Sequence, residues 1–494
     1  MKTLIFIMTA VYVGSALALA LYAAGTLVLL ALWWRHRRDD FSAPRPAEDD
    51  WPTVTVQLPV FNEREVIGRL IDAVAAFDYP RAKLRVQVLD DSTDDTRLVV
   101  AQRVERFSRA GLDITHLRRT DRRGYKAGAL AAALEQTDSD LIAILDADFV
   151  PPPDFLRRVV PHFLADPRLG MVQTRWGHLN AEENLLTRGQ ALSLDGHFVI
   201  EQTARSRGGL LLSFNGAGGV WRAVAIRDAG GWSDATLTED LDLSYRAQLK
   251  GWRFRYLPDV VVPAEVPPQI AAYKRQQARW AKGNTQVLLR LLPEVWRCPH
   301  FTLAQKCMGT LHLCQYLVHP LMLALLLLTL PMLITSAIKG LSLAPLGLAG
   351  LGPPLLYVLS QRTLYPDGWT WARRMLAFPA LMALGTGLAL TNTLAVLSAL
   401  LGQPNVFQRT PKFRGQSWQQ SGYALHFSWT TFGEAALAVY ALWCGMLMLR
   451  FLPSLAPFLF LYAYAFGTVA LWGLAEGLQL WLAGRNTTLR GHPA

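Results

Sequence analysis

Cysteine is scarce in this chain of 494 residues, which contains four: Cys298, Cys307, Cys314 and Cys444. Their spacing matches neither a disulfide framework nor a zinc site. Internal repeats and low-complexity segments are also missing from the sequence, so nothing indicates a repeat architecture.

Charge is missing from residues 3–34, "TLIFIMTAVYVGSALALALYAAGTLVLLALWW". This run exceeds the roughly 20 residues that span a bilayer. A signal peptide is the alternative, but its apolar core should be about 7–15 residues long and precede a cleavage site. The run ends in "WWRHRR", so we interpret residues 1–38 as a transmembrane anchor. Arg35, Arg37 and Arg38 mark the cytoplasmic side, which places the N-terminus outside.

The formal net charge is +11. A basic chain can bind nucleic acid, but here the basic residues cluster beside apolar segments. That distribution favours a lipid bilayer and phosphate-bearing substrates as partners, and we expect no nucleic-acid partner.

After a polar linker at 39–52, residues 53–290 alternate between two periodicities. Apolar alternation or continuous apolar runs predict strands, and spacing of three to four predicts helices. The order strand, helix, strand predicts a mostly parallel sheet with helices on both faces and ligands at the carboxyl ends of the strands. The predicted strands are 53–61, 84–90, 111–117 and 140–149, and the predicted helices are 64–77, 94–107, 124–136 and 183–205.

Acidic residues fall at those strand ends. Asp90 and Asp91 follow the second strand, and Asp146 and Asp148 follow the fourth. Two carboxylates separated by one residue can hold Mg²⁺ or Mn²⁺ and leave positions open for substrate phosphates. Such a pair also occurs by chance, so the prediction of a metal site depends on the position of this pair in the order of motifs along the chain.

The segment "TEDLDLSYRAQLKGW" predicts a helix with Thr238 at the N-cap and Gly251 after its end. Glu239 and Asp240 in its first turn would in most proteins only complement the helix dipole. If this helix start faces the ligand site at the carboxyl ends of the strands, however, Asp240 can accept a proton from an attacking hydroxyl. Lys126, at another helix start, favours phosphate. Together these residues indicate a nucleotide-diphosphate site with a metal and a base.

Residues 267–284 predict a helix on which Gln276, Arg279 and Trp280 share one face. The alternative is an interfacial amphipathic helix with a Trp at headgroup level, and its positive charge would come from Lys274, Arg275 and Lys282. The turn "FNGAGGVWR" (214–222) lets a ligand approach the backbone. His197 and Asn215, taken singly, indicate structural side chains.

The ordered motifs "PVFNE", "DDS", "DADF", "TED" and "QQARW" resemble the inverting family 2 glycosyltransferases of GT-A fold, nearest the cellulose synthase-like mannan and glucomannan synthases. The resemblance implies catalytic roles for Asp240, the general base, and Glu239. It implies a nucleotide-sugar donor bound by Asp90, Asp91, Lys126, Asp146, Asp148 and Arg279, with the metal on Asp146 and Asp148. It implies a polysaccharide acceptor bound by Gln276, Trp280, Trp176, Phe214 and Gly216.

Five apolar segments follow residue 290: 308–337, 342–360, 375–402, 430–450 and 455–484. If all five cross, then Arg409, Lys412, Arg414, Arg485 and Arg490 lie outside, against the positive-inside tendency. If 375–402 does not cross, only Lys2, Lys339 and Arg450 lie outside. We therefore predict five spans in total and one non-spanning segment. Domain 291–404 would hold two spans and that segment, and 418–494 would hold two further spans and a short cytoplasmic tail.

With this topology, residues 405–417 are cytoplasmic, and "FQRTPK" resembles the F-x-V-T-x-K gating loop of cellulose synthases, with Arg409 in place of valine. The resemblance implies that Phe407, Thr410 and Lys412 close over the donor. The whole chain is then expected to be a GT-A domain fused to an α-helical transmembrane channel in the plasma (inner) membrane. It would build a β-glycan from GDP-mannose, GDP-glucose or UDP-glucose and pass it towards a periplasmic or cell-envelope export partner. The alternatives are transfer of one sugar to a lipid such as ceramide or a polyprenyl phosphate, and a non-enzymatic transporter or scaffold, which would require lost carboxylates.

Overall fold

The computed structural model of the chain describes residues 2–490 except 40, 44–45, 341–349, 408, 414–417, 419–420, 422 and 426–427. For residues 339, 340 and 483–490 it describes the backbone alone. The expectations for Lys339, Arg414, Arg485 and Arg490, and the start of the predicted span 342–360, therefore lie outside the described residues or side chains.

A seven-stranded sheet forms the centre of the α/β region (residues 54–264), in the order β3-β2-β1-β4-β6-β5-β7. Every pairing is parallel except those of β6 with β4 and β5. This confirms the predicted mostly parallel α/β sheet. The strands are β1 (Val54–Val60), β2 (Leu84–Asp90), β3 (Asp113–Arg118), β4 (Leu141–Ile144), β5 (Leu169–His178), β6 (Gly219–Arg222) and β7 (Arg253–Ala264).

Every residue of β1 is buried, which is typical of a central parallel strand covered on both faces. One apolar core lies between the sheet and α2, α3 and α5, and a second lies between the sheet and α4, α9 and α10. These helices are α2 (Ile67–Ala75), α3 (Thr96–Arg109), α4 (Tyr125–Glu135), α5 (Phe155–Val159), α6 (Pro161–Ala165), α9 (Ala223–Asp228) and α10 (Glu239–Leu249).

Three predicted elements differ from the structure. Strand β4 ends at Ile144, so Asp146 and Asp148 lie in the loop after it. The predicted helix 183–205 is interrupted: α7 (Leu185–Gly196) and α8 (Thr203–Arg207) flank a π-helical turn, His197–Gln202. Thr238 is the N-cap of α10, but its hydroxyl makes no capping hydrogen bond.

The remaining helices join the α/β region to the apolar part or belong to the apolar part. Helix α11 carries the predicted Gln–Arg–Trp face and is longer than expected. These helices are α1 (Lys2–His36), α11 (Ile270–Arg297), α12 (Leu303–Leu313), α13 (Val318–Ile334), α14 (Gly352–Leu364), α15 (Gly368–Met375), α16 (Phe378–Gly387), α17 (Ala389–Leu400), α18 (Thr430–Phe451) and α19 (Ala456–Arg490).

Within the described residues, five helical segments are long and apolar enough to cross a membrane, which makes this a membrane protein by length and composition. One of the five is Gly368–Leu400, the region predicted not to cross. It is broken into α15, α16 and α17, and 67% of its most apolar window is buried, against 33% or less in the other four. Helix α17 packs on α11, and α16 packs on α7. A non-spanning segment packed on protein stays our prediction.

Polar contacts attach α11 to the helices that follow it. Lys274 is buried and forms an ion pair with Glu434 of α18, with 2.6 Å between Nζ and Oε2. The positive charge of Lys274 is therefore enclosed within the protein. Glu476 of α19 accepts hydrogen bonds from the backbone N–H groups of Ile270 and Ala271 at the start of α11. The apolar helices thus fix the position of the helix that faces the site.

Candidate active site

A cavity of about 580 Å³ opens at the carboxyl ends of β1, β2 and β4 and continues between α1, α13 and α14. Most of the predicted site residues line it. They are Asp91, Lys126, Asp146, Asp148, Trp176, Phe214, Gly216, Glu239, Asp240, Gln276, Arg279, Trp280, Phe407, Thr410 and Lys412.

Asp90 and Asp91, adjacent in sequence, have different surroundings. The Asp90 side chain is buried, receives the Ser92 N–H and lies 2.8 Å from Nε2 of His116. Burial alone would raise the pKa of Asp90, but these hydrogen bonds lower it below its usual value. Asp91 is on the cavity wall, and the guanidinium of Arg119 donates hydrogen bonds to both of its carboxylate oxygens. Asp91 is thus the better placed of the two to meet a ligand.

Lys126 links three parts of the site. Its ammonium donates to Asp146 Oδ1 at 2.5 Å and to the carbonyl of Gly216 at 2.9 Å, and it lies 3.9 Å from Glu239. Burial alone would lower the pKa of Lys126, but the two carboxylates raise it above its ordinary value. Lys126 is therefore a fixed positive charge between the loop after β4 and the start of α10.

Asp240 stands at the first turn of α10, where its Oδ1 accepts the N–H of Leu241. Burial and the neighbouring Glu239 carboxylate raise the pKa of Asp240 to about 7, against the opposing charge of Lys126. A carboxylate with a pKa near 7 is suited to general-base catalysis at neutral pH.

The glycine-rich turn comes directly against this carboxylate. A Cβ added at Gly216 would lie 2.9 Å from Asp240 Oδ2, and the φ of Gly216 is +85°, in the left-handed region. Only glycine meets both conditions without strain. The turn therefore borders the Asp240 carboxylate.

Helix α11 supports the site from the other side. A Cβ at Gly283 would meet the backbone N of Thr238 at 2.7 Å, so this glycine lets α11 touch the residue that precedes α10. Lys282 donates to the carbonyls of Gln403 and Pro404. Arg279 lies over the ring of Phe407 at 4.9 Å. One helix thus holds the start of α10 and the base of the 405–417 loop.

The described part of that loop forms part of the cavity wall. The Phe407 ring stacks on Tyr125, with 5.5 Å between centroids. Lys412 donates to Asp148 Oδ2 at 2.9 Å and to the carbonyl of Glu265 at 2.5 Å. Burial alone would lower the pKa of Lys412, but Asp148 raises it. The loop is therefore tied to the second aspartate of the "DAD" pair.

Arg409, whose role the sequence left open, also contacts the α/β region. Its guanidinium donates to the carbonyl of Phe61 at 3.4 Å and lies 4.2 Å from the centre of the Tyr423 ring. Arg409 thus lies against the mouth of the cavity.

The residues expected at the acceptor are arranged in two groups. Gln276 and Trp280 are half-buried on the cavity side of α11. Trp176 donates its Nε1–H to the carbonyl of Ala217 and packs edge-on against Phe149. Phe214 is 1% exposed and packs against Trp221 in the core, so it mainly supports the turn.

Two further carboxylates belong to the site although no role was predicted for them. Glu63, of the "PVFNE" motif, lines the cavity, and burial together with Asp148 and Asp146 raises its pKa to about 7. Glu265 follows β7 and accepts from Arg69 and from the N–H of Phe413. Position in a motif could have indicated Glu63, but nothing in the local sequence indicates Glu265.

Comparison with known proteins adds independent findings. Residues 52–283 match the model of the family described as Glycosyltransferase like family 2. The chain is 43% identical over 267 residues to Glucomannan 4-beta-mannosyltransferase 1 of Oryza sativa subsp. japonica, which covers 53% of this chain and 51% of that protein. It is 41% identical over 287 residues to Glucomannan 4-beta-mannosyltransferase 2 of Arabidopsis thaliana, with coverage of 56% and 54%. The match thus spans about half the length of these relatives.

Among solved structures, the fold is similar to that of the mannosyltransferase PcManGT from Pyrobaculum calidifontis in complex with GDP-Man and Mn²⁺. The TM-score is 0.52 and the identity 24%, over 79% of this chain and 99% of that one. This likeness confirms the expected GT-A fold. The family match contains Asp91, Lys126, Asp146, Asp148 and Asp240 as well as the Gln–Arg–Trp face of α11. Residues 52–283, which hold most of the cavity residues, are therefore similar to the family described as Glycosyltransferase like family 2.

Proposed function

We propose that this protein is an inverting, processive hexosyltransferase that builds a β-glycan from a nucleotide sugar. The observation that carries the proposal is the position of Asp240. Its carboxylate, with a pKa raised to about 7, lies beside Gly216 in a cavity that also holds Lys126 and Asp146 and continues between α1, α13 and α14. The proposed donor site, the proposed base and the proposed exit path for the polymer would therefore lie in one cavity.

In the proposed reaction, the acceptor hydroxyl attacks the anomeric carbon from the side opposite the leaving diphosphate, which inverts the configuration. Asp240 takes the hydroxyl proton, and the bond between the anomeric carbon and the phosphate oxygen breaks. Lys126 and Arg279 supply positive charge for the nucleoside diphosphate that leaves.

Two buried polar atoms support an anionic ligand at this place. Thr410 Oγ1 and Arg279 Nε are buried on the cavity wall and have no hydrogen-bond partner among the residues that the structure describes. Unpartnered buried polar atoms are costly, so a ligand that bonds them is expected. Diphosphate oxygens provide the acceptors that both groups can use.

A divalent metal, Mg²⁺ or Mn²⁺, fits the pair Asp146 and Asp148. The Asp146 side chain is 36% exposed to the cavity, and carboxylate oxygens are the ligands these ions prefer. In the described part of the chain, no three acidic, histidine or cysteine side chains converge as a metal site, so phosphate oxygens of the donor would complete the coordination. When bound, the metal would neutralise negative charge on the leaving diphosphate.

The loop that carries Phe407, Thr410 and Lys412 is proposed to close over the donor. Closure would exclude water and so limit hydrolysis of the nucleotide sugar. The contacts of this loop with Tyr125, Asp148 and Glu265 would hold it in the closed position.

Since the relatives are named for mannosyl transfer to glucomannan, GDP-mannose is the first donor to test, followed by GDP-glucose and UDP-glucose. We propose incubating the purified full chain with each labelled donor and digesting the product with linkage-specific β-glycan hydrolases. A polymer released by one such hydrolase is the expected result. A product with a single sugar on a lipid would overturn the processive function, and no incorporation from any donor would overturn the transferase function.

The same assay tests the base. Asp240→Asn should abolish incorporation and leave donor binding, measured by calorimetry, unchanged. Asp138→Asn is the matched control, because Asp138 is a solvent-exposed aspartate whose side chain is 76% exposed. Turnover of Asp240→Asn at the rate of the control would refute its role.

The proposed orientation places the catalytic domain and the loop in the cytoplasm, at the plasma membrane. Thr410 is 8% exposed, so the more exposed Val406, at 62%, is the better labelling position. In a variant that lacks the exposed Cys307, Val406→Cys should label from the same side as Ser108→Cys of α3 and from the opposite side to Thr335→Cys. If Val406→Cys and Thr335→Cys were labelled from the same side of the membrane, this result would contradict the proposed topology.

A further inference from the structure

The π-helical turn His197–Gln202 interrupts the helix that runs from α7 to α8. Turns of this kind are rare and frequently stand at functional sites. This one lies where the cavity passes from the α/β region towards the apolar helices: it contacts α1 and α14, and His197 and Glu201 line the cavity. The proposed reaction has so far assigned no role to either residue.

Polar contacts join the turn to the glycine-rich loop. His197 Nδ1 lies 2.9 Å from Glu201 Oε2, and His197 Nε2 lies 3.3 Å from Asn215 Oδ1. Both side chains of the His197–Glu201 pair remain more than a quarter exposed, at 28% and 29%, and both face the cavity. Asn215 Nδ2 is buried and has no hydrogen-bond partner among the residues that the structure describes. An amide donor, an imidazole and a carboxylate thus meet at one wall.

The sequence position of Asn215 relates this cluster to the base. The next residue, Gly216, touches Asp240 and gives its carbonyl to Lys126, whereas Asn215 turns towards His197. The loop therefore separates Lys126 and Asp146, on the donor side, from the cluster of His197, Glu201 and Asn215. An acceptor on that second side would share the cavity with Asp240 and could present a hydroxyl to it.

The cluster also contains a carboxylate, and aromatic rings line the same cavity. Burial alone would raise the pKa of Glu201, but its hydrogen bond to His197 and the positive charge of Arg205 lower it below its usual value, so the carboxylate is ionised at neutral pH. Trp176, Tyr22 and Tyr357 line the same cavity. A carboxylate that accepts hydroxyl hydrogen bonds beside flat apolar rings suits a sugar ring, which has polar edges and a C–H face.

We propose that Glu201, His197 and Asn215 form the subsite that binds the hydroxyls of the acceptor's terminal sugar and aligns it with Asp240. The ligand class is a neutral pyranose, because the Glu201 carboxylate would repel a uronic acid. Glu201 accepts from sugar hydroxyls, Asn215 Nδ2 donates to one, and His197 holds Glu201 in place. This inference rests on the proposed transferase function and specifies its acceptor.

The test measures sugar transfer from the labelled donor to added β-linked gluco- and manno-oligosaccharides by the purified full chain. Glu201→Gln is expected to raise the acceptor KM about tenfold or more, the loss expected when a hydrogen bond to an ionised group is weakened. The donor Kd, measured by calorimetry, should stay at the wild-type value. Glu183→Gln, a change of the same type at an exposed position before α7, should alter neither quantity.

A second comparison tests the charge directly. In the wild-type protein, the rate of sugar transfer to an oligosaccharide with a neutral terminal sugar should be at least about tenfold higher than to one with a terminal uronic acid. Glu201→Gln should lower this ratio of rates, because the repelling charge is gone.

The outcomes separate the two proposals. If the wild type incorporates no sugar from any donor, the proposed function fails, and this inference fails with it. If the wild type makes polymer but Glu201→Gln keeps the wild-type acceptor KM, or the wild type does not use added oligosaccharides, the subsite is refuted while the function stands. A loss of donor affinity in Glu201→Gln without a change in acceptor KM would also refute it.

Discussion

Gly216 provides the sharpest test of the proposed base. In Gly216→Ala, the new Cβ would lie 2.9 Å from Asp240 Oδ2, whereas ordinary contacts begin at 3.4 Å. The carboxylate must therefore retreat by about half an ångström. Since a misplacement of about 1 Å can cost on the order of a hundredfold in rate, we expect kcat to fall on the order of tenfold. Alanine at φ +85° also strains the backbone by about 1–2 kcal/mol.

Gly251→Ala separates these two effects. Gly251 has φ +86°, almost the same as Gly216, but a Cβ there meets no atom within 4 Å. Both variants should lose about 1–2 kcal/mol of stability in thermal unfolding, because both place alanine in the left-handed region. Only Gly216→Ala should lose turnover in the labelled-sugar assay at saturating donor. Equal loss in both variants, or wild-type turnover in Gly216→Ala, would refute the placement of Asp240.

Three further outcomes follow from the charges of the structure. Because the proposed base, Asp240, acts deprotonated and its pKa is raised to about 7, kcat/KM should fall tenfold per pH unit below about pH 7. Glu239→Gln should shift this fall in the pH profile of kcat/KM to lower pH, because it removes a repelling charge from beside Asp240. Lys274→Met should lower the unfolding temperature in detergent, with a loss of about 3–5 kcal/mol, since it leaves the buried Glu434 unpaired. Lys412→Ala should raise the donor Kd in calorimetry about tenfold by removing a charged donor to phosphate, and an unchanged Kd would refute its contact with the donor.

Most of the sheet and half of the site could be predicted from the sequence. The strands β1 and β2 begin and end within one residue of their predicted bounds, because apolar periodicity is a local property. The placement of Asp146 and Asp148 also followed from local order, because residues that follow parallel strands meet at one edge of the sheet. The position of Asp240 followed from the predicted start of helix α10.

The electrostatic partners of these residues could not be predicted. Lys412 and Asp148 are 264 positions apart and meet only when the loop folds over the sheet. The difference between Asp90 and Asp91 depends on His116 and Arg119, which approach from β3 and the loop after it. Nothing in the local sequence distinguishes a buried aspartate from one on the cavity wall.

The sequence by itself determined the α/β class, the apolar helices and the order of carboxylates along the chain, because these depend on hydrophobic period and on residues at strand and helix ends. Only the tertiary structure shows which carboxylate has its pKa raised to about 7, which lysine meets which aspartate, and that His197, Glu201 and Asn215 share one wall. The reason is physical: a pKa near 7, an ion pair or a binding wall arises from groups that packing brings within a few ångströms, and neither neighbours in sequence nor periodicity determine those distances.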